Sequence, residues 1–101
     1  MKFLSFAMFD VSKAAEVAQA GDKVAKTPGH KVLGQYLCQG IPFEGVPPNT
    51  MVVVSVGESE SNEVIATAQY PMLLAGATIW AVPVLEMKAG GAAAAEKKYR
   101  K

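Results

Sequence analysis

Six residues of this chain could do chemistry if the fold brought them together: Ser5, His30, Tyr36, Cys38, Ser55 and Trp80. Two hydroxyls, an imidazole, a phenol, a thiol and an indole are the few polar groups that orient a small molecule in a mostly apolar pocket. Tyr36 and Cys38 stand two apart in a strand-like run, so they share one face of it. The plain reading of Cys38 is a small buried hydrophobe. His30 is the only histidine and follows Pro28-Gly29, where a solvated or capping role is the plain reading. As an acid or base it needs a partner, and none adjoins it in sequence.

The missing residues exclude several chemistries. One histidine and one cysteine cannot build a histidine-rich or cysteine-rich metal site, and no cofactor is expected. The only arginine, Arg100, lies near the end of the chain, so no core arginine is present to cradle a phosphate. There is no C-x-x-C pair and no glycine-rich phosphate loop. The run MVVVSV at 51–56 has no aromatic on which a base could stack, so sequence-specific RNA reading is not expected. Residues 1–87 carry five lysines against eight carboxylates, net −3, whereas residues 88–101 carry five cations against one carboxylate, net +4. That basic end reads as a solubilising tail with at most weak nucleic-acid contacts.

The elements that must position the six residues follow from the apolar pattern. Residues 2–9, 31–39, 51–56 and 78–86 read as strands, the first and third apolar on both faces. Ser12 suits the N-cap of a helix to about residue 26, with Ala14, Val17, Ala18, Gly21, Val24 and Ala25 along one face. Gly21 reads as a small-residue contact with the sheet. Ser59 suits the cap of a second helix with Val64, Ile65 and Ala68 inside, and Pro71 predicts a kink or restart. The link at 40–50 holds three prolines, and its Phe43 and Val46 give it an apolar side. Residues 88–101 read as a basic tail, with a hinge at Gly90-Gly91 and a helical or flexible stretch from Ala92.

Strand–helix–strand twice over gives a ferredoxin-like α+β fold, with strands one and three central and two and four at the edges. The polar second strand and Pro83 in the fourth agree with edge positions. Two helices cover one sheet face. Assigning Leu4, Phe6 and Met8 to the helices leaves Phe3, Ser5, Ala7 and Phe9 on the open face. A large exposed apolar face marks an interface, so a homodimeric α+β barrel is expected. The opening MKF, KVLGQY at 31–36, MVVVSV at 51–56, Tyr70-Pro71 and TIWAVPVLEM at 78–87 resemble domain of unknown function 3303 over roughly residues 1–87. The resemblance implies a ferredoxin-like dimeric barrel and no particular activity.

These readings converge on a small homodimeric domain that binds a mostly apolar molecule between its sheets or beside helix two. Ser5, His30, Tyr36, Cys38, Ser55 and Trp80 are its candidate lining. The alternatives are a cofactor-free monooxygenase or isomerase on the same barrel, and a structural interaction module with a basic tail. Asp10 and Lys13 interrupt the apolar start after about seven residues, against a secretory signal. No run approaches the ~20 apolar residues of a membrane span. With its single cysteine, the chain is expected in the cytoplasm.

Overall fold

The computed structural model describes residues 1–100; Lys101, the last residue of the predicted tail, lies outside them. Four strands form one antiparallel sheet: β1 (Lys2–Asp10), β2 (His30–Leu37), β3 (Thr50–Ser59) and β4 (Thr78–Pro83), in the order β2-β3-β1-β4. The ferredoxin-like α+β arrangement is therefore present, with the expected central and edge strands. β3 runs three residues beyond its predicted end, because Ser59 still pairs with His30. A register shift between Val32 and Gly34 bulges β2 around Leu33. β4 stops at Pro83, opposite Phe3 of β1, at the sheet edge where a missing N–H is tolerated.

Both predicted helix starts are displaced. A short 3₁₀ turn (Val11–Lys13) precedes α1 (Ala14–Val24), and the cap is Asp10 rather than Ser12: Asp10 Oδ2 accepts the Ser12 backbone N–H at 2.9 Å. α2 (Asn62–Leu74) is capped by Ser61, whose Oγ accepts the Val64 N–H at 3.2 Å. Ser59 is instead the buried end of β3. The restart expected at Pro71 is absent: α2 continues through it, and Ala75 N–H closes onto the Pro71 carbonyl. Pro71 sits within the last turn, so the donor it lacks affects the Thr67 carbonyl alone. A third helix, α3 (Ala92–Tyr99), is exposed along its length and borders residues 85–88. The radius of gyration, 15.4 Å, exceeds the ~13 Å of a compact chain of this length.

The helices cover the opposite face of β1 from the one expected. Phe3, Ala7 and Phe9 are buried beneath α1 and α2, and Leu4, Phe6 and Met8 lie on the open face. The reason is size. Ser5, Ala7, Ser55 and Gly57 make a low surface beneath Ala68 of α2, while Val17 of α1 packs with Phe9 and Ala77. Leu4, Phe6 and Met8 would hold the helices off. Phe9, Val17 and Ala77 centre the core, with Ala14, Met51, Val53, Met72, Ala75 and Ile79 around them. Ala20 of α1 is also buried, while Ala18 and Ala25, expected on that stripe, are exposed.

Gly21 does not make the close sheet contact expected of it: a Cβ there would meet nothing within 4 Å. Its cost to the helix is therefore uncompensated. Gly21→Ala should raise the unfolding free energy by about 0.5–1 kcal/mol in urea denaturation, without change in the urea slope.

Candidate functional site

A cavity of about 50 Å³ lies between the sheet and α2. Its sheet side is formed by Phe3, Ser5 and Ala7 of β1, His30, Val32 and Gln35 of β2, and Ser55 and Gly57 of β3. Ile65, Ala68, Gln69 and Met72 of α2 close it from above. The lining is mostly apolar, with a few polar groups converging on it, as in sites for small molecules. Ser5 and Ser55 are direct partners across β1 and β3, so their hydroxyls lie side by side on the inner face. Neither forms a side-chain hydrogen bond to another described residue. At ~10–15 Å³ per water, the space holds about three or four ordered waters, or the polar end of a ligand.

His30 enters this cavity because β3 makes room for it. The ring lies over Gly57, where a Cβ would come within 3.1 Å of His30 Cε1 and of the Lys31 carbonyl. A side chain at 57 would displace both the ring and the neighbouring strand, which is the meaning of a glycine in a central strand. His30 Nδ1 is 2.6 Å from Ser59 Oγ, and Ser59 is only 2% exposed. Ser59 is held in turn by the N-terminal amine, which donates to its carbonyl at 2.9 Å, and by its own N–H to the Met1 carbonyl. Partial burial of the imidazole pushes its pKa below 6.5.

The six predicted residues do not form one site. Ser5, His30 and Ser55 line the helix-side cavity, while Tyr36, Cys38 and Trp80 project to the open face. The sheet itself separates the two groups, since its side chains alternate. On the open face Trp80 stacks on Phe6 at 5.2 Å and 16°, and Phe43 meets both edge-on at 6.4 and 6.0 Å. The link at 40–49 thus folds over one end of that face and, with Cys38, buries Val52. Tyr36 is 64% exposed beside Val54. Sequence reading missed Ser59, Gly57, Gln35 and Gln69. Gly57 carried a signal, as a glycine ending an apolar strand run, but Ser59 looked like a helix cap and the glutamines like ordinary surface.

The fold defines a ferredoxin-like α+β domain, and the comparisons agree at that level. No family model matches the chain, and no curated protein matches it. An uncharacterised protein of Thermotoga maritima, TM1266, superposes with a TM-score of 0.58 at 13% identity, over 83% of this chain and 96% of that one. That likeness shows the fold. A DUF3240 family protein from Shewanella baltica reaches 0.49 at 11% identity, over 86% of this chain and 93% of that one. A protein of Deinococcus radiodurans described as an antibiotic biosynthesis monooxygenase reaches 0.46 at 12%, over 87% and 96%. No helix among the described residues is long and apolar enough to cross a membrane, and no group of three potential metal ligands occurs among them.

The depressed His30 pKa has a definite sign for stability. The unfolded chain binds this proton more readily than the folded one, so stability rises with pH across the interval between the two pKa values. The contribution is complete above the unfolded value near 6.5 and is lost as pH falls through the folded value. Asp10, held below 3.8 by its hydrogen bonds to Ser12, titrates outside that interval. NMR titration of the single histidine should give a pKa below 6.5, and urea midpoints should fall from about pH 7.5 to about pH 5.5. His30→Leu should flatten that dependence.

Proposed function

We propose that this protein is a homodimeric small-molecule-binding domain: two copies meet through their open sheet faces, and each holds a small, mostly apolar molecule in the cavity beside α2. The observation that carries the binding half is the convergence of Ser5, Ser55 and His30 on an apolar space, with the serine hydroxyls unpartnered. A benzene-sized ligand asks for about 150 Å³, three times the closed volume. Met72 and Gln69 are the adaptable parts of the lining, and a methionine repacks at little cost. Membership of domain of unknown function 3303 belongs to the same proposal and rests on the residue resemblance.

The dimer half is supported by the open face. Leu4, Phe6, Met8, Val54, Val56, Trp80 and Val82 lie there at the centre of the sheet, with Tyr36 beside them. No large side chain of the described residues is fully buried within the monomer, so its own core is thin. Four strands about 4.8 Å apart, running some 20–30 Å, give a footprint near 400–600 Å² per copy. Doubled, that approaches the lower bound of ~1,200 Å² for a stable interface, and Phe43 extends it.

Two measurements test the proposal. Cyclopentane, a small apolar probe, should give saturable NMR shifts at the Ile65 and Met72 methyl groups. Ser55→Leu, which fills the cavity, should abolish them while leaving the circular dichroism unchanged. Absent or non-saturable shifts in the wild-type protein would contradict the binding half. In sedimentation, Val54→Asp should weaken self-association by about thirtyfold or more, because a carboxylate would be desolvated at the centre of the interface. A wild-type monomer at micromolar concentration would contradict the dimer half.

A further inference from the structure

The His30–Ser59 pair narrows what kind of molecule the cavity accepts. Ser59 Oγ lies 2.6 Å from His30 Nδ1 and has no second hydrogen-bond partner among the described residues. Were Nδ1 protonated, the serine would accept and its own hydrogen would be buried without an acceptor, an arrangement folded proteins avoid. The hydroxyl therefore donates to Nδ1, which leaves the ring proton on Nε2. A Cβ built on Gly57 would meet Cε1 at 3.1 Å and Nε2 at 3.5 Å, so this edge of the ring is the one turned over the inner face of β3. His30 and Gly57 line the cavity, with Ser59 behind the ring, and the Ser5 and Ser55 hydroxyls are further donors to it.

The lining contains neither lysine nor arginine, and neither aspartate nor glutamate. An anion would be desolvated there without a counter-charge, at a cost far above that of a neutral polar atom. A hydrocarbon would leave Nε2–H without an acceptor. We infer that the cavity takes a neutral apolar molecule bearing a carbonyl oxygen, of the ketone, quinone or ester class, with His30 Nε2–H donating to that oxygen. This inference rests on the cavity reading above and adds the chemical class to it. His30 acts here as a binding residue. Ser59 is a positioning residue, acting through the tautomer it imposes.

Heteronuclear NMR of the imidazole nitrogens tests it on the intact chain, and the signal is unambiguous because there is one histidine. At about pH 7.5 the free protein should show the Nε2–H tautomer. Cyclopentanone should shift Nε2 and bind about three- to tenfold more tightly than cyclopentane, the increment of one hydrogen bond. His30→Leu should erase that preference while retaining cyclopentane binding. Should that variant fail to fold, Ser59→Ala should raise the Nδ1–H population and weaken the ketone alone. An Nδ1–H tautomer in the wild-type protein, or equal affinity for the two probes, overturns the inference and leaves the cavity reading standing. Failure of both probes to perturb Ile65 and Met72 overturns the two together.

Discussion

A sheet apolar on both faces, with helices enough for only one, sets the terms for the rest of this structure. Midway along the central strands the small side chains share one face, and the helices take that face, with Phe3 and Phe9 buried towards its ends. Ser5, Ala7, Ser55 and Gly57 form the low part of that side, facing the buried Ala68 of α2 across the cavity. Leu4, Phe6, Met8, Val54 and Trp80 are thereby committed to the open face, where only the 40–49 link shelters part of them. Apolar burial is the main favourable term in folding, and here these large side chains are left half-buried by the monomer. The same choice of face creates both the half-covered apolar surface on which the proposed dimer rests and the space beneath α2.

That space owes its polar character to what the small residues permit. A larger residue at 5 or 55 would fill it, and any side chain at 57 would evict the imidazole. Ser59 then serves two neighbours: its backbone joins the chain terminus to β3, and its hydroxyl orients His30. Burial of the ring favours its neutral form, so what faces the cavity at neutral pH is a fixed dipole rather than a charge.

Much of the fold was legible in the sequence. Two-sided apolar runs at 2–9 and 51–56 mark central strands, and Pro83 marks an edge, because burial and hydrogen-bond supply act locally. The face assignment was not legible from β1 alone: Leu4, Phe6 and Met8 are as apolar as Phe3, Ala7 and Phe9, so hydrophobicity could not choose between them. Side-chain volume does choose, but only once the small helix stripe is set against it. Capping failed for a related reason. Ser12, Ser59 and Ser61 are equally good caps in isolation, and the final length of each strand decides which one is used. Of the six candidate residues, Ser5, His30 and Ser55 come together and the other three lie across the sheet, because an error in face inverts every side chain of a strand.

In the proposed dimer a second copy covers the open face, and the single tryptophan stands on that face. Trp80 emission followed on dilution from micromolar to nanomolar concentration, with light scattering for mass, tests it most directly. A dissociating dimer should show a red shift as the indole meets water, coincident with a halving of the mass. A monomeric mass with constant emission at every concentration would contradict it.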